Sequence, residues 1–101
     1  MSGRFGELID RQLDLFERED AAFLASVDEA ERDYDRADRD DAEEAFGRFQ
    51  ELVEHGTEAL AEMRDAYAAT LDSDSADEYA AQFNARVHRR LPHFSLEIDE
   101  L

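Results

Sequence analysis

The chain has no cysteine, no tryptophan and no lysine; it has one proline, Pro92, and four glycines. Without cysteine there can be no disulfide, thiolate nucleophile or thiolate metal ligand. The scarcity of proline and glycine leaves few natural helix breaks. Apolar runs are a few residues long, far short of the ~20 that a membrane-spanning helix needs. The opening MSGRFGELID has no apolar h-region of a secretory signal. These absences predict a soluble, cytoplasmic protein without membrane contact. The length of 101 residues predicts one domain with a modest core.

What the chain does have is acid. Aspartate and glutamate number 28 against 11 basic residues, giving a net charge of −17. All the basic residues are arginine. A mean hydropathy of −0.71 with such a charge is the composition of a disordered chain. Strong apolar periodicity and the lone proline argue for a folded one. The acids are spread over the whole chain, and arginine stands wherever lysine would be expected. That pattern resembles the proteins of salt-in halophiles, haloarchaea above all. The resemblance implies a protein working in multimolar salt, where the screening length falls to ~3 Å or less and clustered carboxylates repel weakly. The other reading of an acidic chain, a DNA mimic or binder of basic partners, expects the acids gathered on one segment.

Apolar or small residues recur at Ile9, Leu13, Phe16, Phe23, Val27, Ala30, Tyr34 and Ala37, in alternating steps of four and three, with Asp20 as the polar member. This seven-residue repeat predicts a helix over about residues 4–38 that buries one narrow stripe against another helix. The stretch ADRDDAEEA, residues 37–45, is read as a turn. Asp40 or Asp41 caps a new helix there, and Glu43 or Glu44 completes the capping box. The second helix, about 42–71, repeats the pattern through Ala42, Phe46, Phe49, Val53, Gly56, Leu60, Met63, Tyr67 and Thr70. A DSDS turn follows. Ser75 with Glu78 is the expected capping box of a third helix, about 76–90, which Pro92 stops. In the tail, 92–101, Phe94, Leu96 and Ile98 alternate with polar residues. That period of two predicts an extended segment with one buried face.

Folding the chain at residues 39–40 opposes Phe23 to Gly56, Ala30 to Phe49 and Phe16 to Met63 in a long antiparallel hairpin. Large residues then meet small ones. Gly56, costing about 1 kcal/mol against alanine in mid-helix, is read either as room for the Phe23 ring or as a local kink. Phe5, Leu8, Leu15, Leu24 and Leu52 lie off the main stripes and define a second apolar surface. Either the third helix or a second copy covers it. The expected assembly is a homodimeric, coiled-coil-like helical bundle.

Chemistry finds little support. A di-iron site in a bundle needs Glu-x-x-His pairs; His55, His88 and His93 are preceded at that spacing by Leu52, Ala85 and Arg90. The DSDSADE stretch opens like a calcium loop but has Asp77 where glycine belongs and Phe83 where the bidentate glutamate belongs. No serine sits in a nucleophile elbow, and there is no glycine-rich phosphate loop. Glu51, Glu54 and His55 share a helical turn, which is read as a solvated face. No catalytic residue, metal site or cofactor is therefore expected.

One stretch departs from acidity: NARVHRR, residues 84–90. Arg86, His88, Arg89 and Arg90 form a basic patch that either docks a phosphate, a nucleic acid or the acidic flank of another subunit, or simply complements a helix C-terminus. Nucleic acid is the poorer choice, because the rest of the chain repels a polyanion. The sequence thus predicts an all-α, non-enzymatic interaction or assembly module. The alternative is a nucleic-acid-linked regulator that contacts phosphate through the Arg86–Arg90 patch.

Overall fold

The stripes of four-and-three spacing fold as helices, with breaks that differ from the expected ones. The computed structural model describes residues 3–101. In it α1 is Gly6–Glu19, α2 Ala21–Arg36, α3 Ala42–Ala68 and α4 Ser73–Arg90, followed by a 3-10 turn Pro92–Phe94 and a short α5, Ser95–Ile98. There is no strand among the described residues.

The helix expected over residues 4–38 is two helices. Asp20 sits at φ −107°, ψ 24°, between the end of α1 and the start of α2. Its N–H still donates to the Phe16 carbonyl (2.9 Å) and its carbonyl accepts from Leu24 N–H (2.9 Å). The bend has a physical cause. A straight helix would carry the Asp20 carboxylate along the buried stripe, where its desolvation is costly. Aspartate is also a poor helix former, because its side chain competes for backbone hydrogen bonds. Asp20 ends up exposed.

The turn at residues 37–41 falls where the sequence placed it, but neither Asp40 nor Asp41 caps α3 through its side chain. Asp38 does the work instead: its Oδ1 accepts from the N–H groups of both Asp40 and Asp41, each at 3.1 Å. This is the local turn that short acidic side chains favour. α4 begins earlier than expected. Asp72 is its cap, accepting from Ser75 N–H (2.9 Å) and Ser75 Oγ–H (3.1 Å). Ser75, the expected cap, is the residue that Asp72 grips.

The tail also departs from expectation. It is helical, not extended. Pro92 opens the 3-10 turn, a position that needs no N–H. Phe94 and Ile98, four apart, point the same way into the core. Leu96, between them, is 88% exposed.

The core joins Ile9, Leu13 and Phe16 of α1, Val27 of α2, Leu60 of α3, Tyr79, Phe83 and Val87 of α4, and Phe94 and Ile98 of the tail. Burial of the two tail side chains contributes roughly 2 kcal/mol each. α2 and α3 run antiparallel: the Tyr34 and Phe46 rings meet at 5.2 Å, and Phe23 approaches Gly56. α1 runs alongside α4 in the same direction, since Arg4 meets Ser75, Asp10 meets Arg86 and Asp14 meets Arg90.

The result is an elongated body of 51 × 24 × 23 Å. α1, α4 and the tail pack on the proximal half of the α2–α3 pair. The distal half projects as a two-helix finger. Between Ala30 and Gly56 no residue is buried.

Candidate functional site

On the finger two aromatic side chains lack a cover. Tyr34 is 38% and Phe46 43% exposed, and each ring has the other for company. The finger also carries an open cleft of about 370 Å³, lined by Ala30 of α2, Ala37 just beyond its end and Ala45 of α3; neither ring is part of that lining. Its rim is charged: Asp33, Arg36, Asp41, Glu44 and Arg48. One ion pair is formed there, Arg36 to Asp33 at 3.5 Å, and both partners are largely exposed. Small side chains on the floor and charges of both signs on the rim make a face on which another helix can lie closely.

The basic patch on the last turns of α4 is mostly engaged within the chain. Arg86 Nε pairs with Asp10 Oδ1 at 2.9 Å. Arg90 pairs with Asp14 at 2.7 Å and with Glu17, and its Nη1 donates to the Asp10 carbonyl at 3.2 Å. Burial pulls the Arg90 guanidinium pKa down, but the hydrogen bonds and charges of Asp14 and Glu17 outweigh it and hold the pKa above its ordinary value. His88 meets Asp99 of the tail at 3.1 Å. Arg89 is exposed and makes no ion pair among the described residues. The acidic residues that Arg86 and Arg90 engage lie on α1 of the same chain. That use of opposite charge fixes the α1–α4 register.

The other residues singled out in the sequence scatter. Phe5 is in the core, edge-on to Tyr79 at 5.5 Å. Leu8, Leu24 and Leu52 are half-buried against the core, while Leu15 remains 41% exposed. The second apolar surface is thus largely absorbed by the chain itself. Phe94 and Ile98 are internal, and Leu96 stands alone on the outside. Glu51, Glu54 and His55 are exposed, and His55 rests edge-on to Phe23 at 5.3 Å.

No protein-family model matches this chain, and no curated protein or solved structure matches it. Among the described residues no helix is long and apolar enough to cross a membrane. Among the described residues no group of three or more histidine, aspartate or glutamate side chains is placed to hold a metal ion.

Four polar side chains to which the sequence analysis gave no structural role hold the base together. Arg64 is buried in α3; its Nη1 donates to Asn84 Oδ1 (2.9 Å) and to the Ile98 carbonyl (3.0 Å), and its Nε to Asp65 Oδ1 (2.9 Å). It ties α3 to α4 and to the tail. The signal was present: Arg64 follows Leu60 by four and so continues an apolar stripe. Tyr79 is fully buried, with its hydroxyl donating to Gln12 Oε1 at 2.8 Å. Burial pushes its pKa up to about 12, against the opposing effect of the Gln12 hydrogen bond. The Asp72 cap has its carboxyl below the usual range, chiefly through the Ser75 backbone N–H. His93 joins the tail to α2 through Glu31 at 3.1 Å and lies edge-on to Phe49 at 5.9 Å.

Proposed function

We propose that this protein is a non-enzymatic interaction or assembly module of a halophile cytoplasm, and that the finger is its contact element. The single observation that carries this reading is the unbroken lack of burial between Ala30 and Gly56, over two helices that carry Tyr34, Phe46 and a small-residue cleft. A two-helix hairpin buries too little to hold such a shape by itself, and most helix stability comes from packing an apolar face. A contact that covers the finger supplies what is missing. In the base most apolar residues already meet one another, with Leu15, Leu96 and Leu101 as the exposed exceptions. A phosphate contact through Arg86, Arg89 and Arg90 is the weaker reading, because Arg86 and Arg90 are already paired to α1.

The test places a photocrosslinking amino acid at Ala45, and separately at Phe46, in cells that make the protein. A discrete crosslinked protein, whether another chain or a second copy, is expected from at least one position. Clean monomer from both, alongside efficient crosslinking at a control position in the α1–α4 interface, would refute the reading.

A further inference from the structure

The cleft on the finger has a charge pattern with a direction. On α3 the acid Glu44 comes before the base Arg48, and on α2 the acid Asp33 comes before the base Arg36. These two pairs bracket the level at which Tyr34 touches Phe46. A two-fold axis across the hairpin at that level reverses each helix upon itself. It stacks the finger on that of another molecule, α2 over α2 and α3 over α3, antiparallel. Glu44 then lies opposite Arg48 of the second copy, and Arg48 opposite its Glu44. Asp33 and Arg36 exchange partners in the same way.

We infer that the occupant of the cleft is a second copy of this chain, paired finger to finger through this charge exchange. The inference rests on the reading of the finger as a contact element and names its partner. Charge complementarity is the argument for a copy over a foreign chain. A surface that pairs with itself about a two-fold axis must carry each sign opposite the other. In a chain of net charge −17, most faces would repel their own copy. The rim of this cleft has three acids and two arginines and is close to balanced. Glu44 and Arg48 are exposed, and neither makes an ion pair among the described residues, so both are free to exchange. Ala30, Ala37 and Ala45 leave room on the floor for the aliphatic stems of the incoming arginines. Two fingers stacked this way form a four-helix bundle, which covers the cleft face of the finger.

The test is the oligomeric state of the full chain, followed by sedimentation equilibrium in about 1 M KCl. There the screening length is about 3 Å, so the long-range repulsion of two acidic bodies is suppressed while contact pairs still act. The wild type is expected to dimerise. Glu44→Arg and Arg48→Glu each put like charges together at two symmetric places and are expected to weaken pairing roughly tenfold or more. The double variant E44R/R48E is expected to recover it. An equimolar mixture of the two single variants is expected to form the mixed dimer that neither makes alone. Circular dichroism of each variant controls for folding.

A wild type that stays monomeric up to about 1 mM overturns the inference. So does a dimer indifferent to both single changes, or a double variant that stays apart. A monomer that still crosslinks to a foreign protein from Ala45 or Phe46 overturns this inference and leaves the interaction reading standing. A monomer that crosslinks to nothing overturns both.

Discussion

α3 contains two glycines, and the structure assigns them opposite roles. An alanine methyl at Gly47 would meet nothing within 4 Å. There Gly47→Ala gains only the helix propensity of alanine, about 1 kcal/mol. In a chain of this length that raises the thermal midpoint by roughly 4–8 °C. The same methyl at Gly56 would lie 2.8 Å from Phe94 Cζ, closer still to Cε1, and 3.0 Å from Phe23 Cε2. Neither ring is a loose end. Phe94 is buried and anchored by its neighbours in the tail, and Phe23 packs against the core. The Phe94 ring has to retreat by about 1 Å, and such overpacking costs about 1–3 kcal/mol, which offsets or exceeds the propensity gain. Gly56→Ala is therefore expected to be neutral to about 2 kcal/mol destabilising, so the two glycine sites differ by about 2 kcal/mol. Replacing Phe94 by leucine shortens the ring side and relieves the clash. In that background Gly56→Ala is expected to become neutral or favourable, a coupling of about 1–2 kcal/mol. Urea unfolding followed by circular dichroism measures all four species on one scale. If Gly56→Ala stabilises the protein as much as Gly47→Ala does, the close seating of the Phe94 ring on Gly56 is wrong, and with it the docking of the tail.

Two further outcomes follow from the base. Arg64→Met removes the donor that satisfies Asn84 and the Ile98 carbonyl and is expected to cost about 2–4 kcal/mol. Arg64→Lys recovers only part of it, since an ammonium cannot reproduce the guanidinium fork; full recovery in denaturant unfolding would argue against the three-way contact. The Tyr79 phenol titrates higher in the folded chain than in the unfolded one, at about 12 against 10.0. Folding therefore favours its neutral form, and its contribution is whole below about pH 10 and lost as pH rises toward about 12. Thermal midpoints measured across that window should fall less steeply for Tyr79→Phe than for the wild type; identical slopes would place the alkaline sensitivity elsewhere.

The helical class, the turn at residues 37–41 and the antiparallel run of α2 against α3 were legible because apolar spacing reports which face of a helix is buried. The opposition of Phe23 to Gly56 came from the same source. The spacing could not show the bend at Asp20, because a one-residue break leaves the stripe in phase on both sides. It misled at the tail. Over five residues, Phe94, Leu96 and Ile98 fit a period of two as well as Phe94 and Ile98 alone fit a helical step of four. Pro92 at the head of a 3-10 turn settles the matter for the helix. The sequence leaves Gly56 as either space for Phe23 or a local kink; Phe23 does lie against it, but the closer neighbour is Phe94, thirty-eight positions along. No local pattern announces a contact of that range. The candidate surface was legible in part. The patch at Arg86–Arg90 was visible as charge, but its partners Asp10, Asp14 and Glu17 lie more than seventy positions away. The cleft on the finger depends on a register between two helices and emerges only when Glu44, Arg48, Asp33 and Arg36 are seen together.

The pairing of α1 with α4 also sets the order in which the chain can assemble. The α2–α3 hairpin closes over a turn of a few residues, whereas Arg90 must find Asp14 across a separation of 76 positions. Each doubling of such a loop adds about 0.6 kcal/mol of closure entropy, and contacts of this range form late. Residues at the Arg86–Asp10 and Arg90–Asp14 contacts should then govern the final sealing of the base. The ionic character of those contacts makes that step sensitive to salt in a way that hairpin closure is not. A chain stalled before sealing would present Ile9, Leu13 and Phe16 on one piece and Tyr79, Phe83 and Val87 on another. Those matching halves can also meet between molecules, so the α1–α4 seam is the place where this fold is most open to exchanging segments with a neighbour.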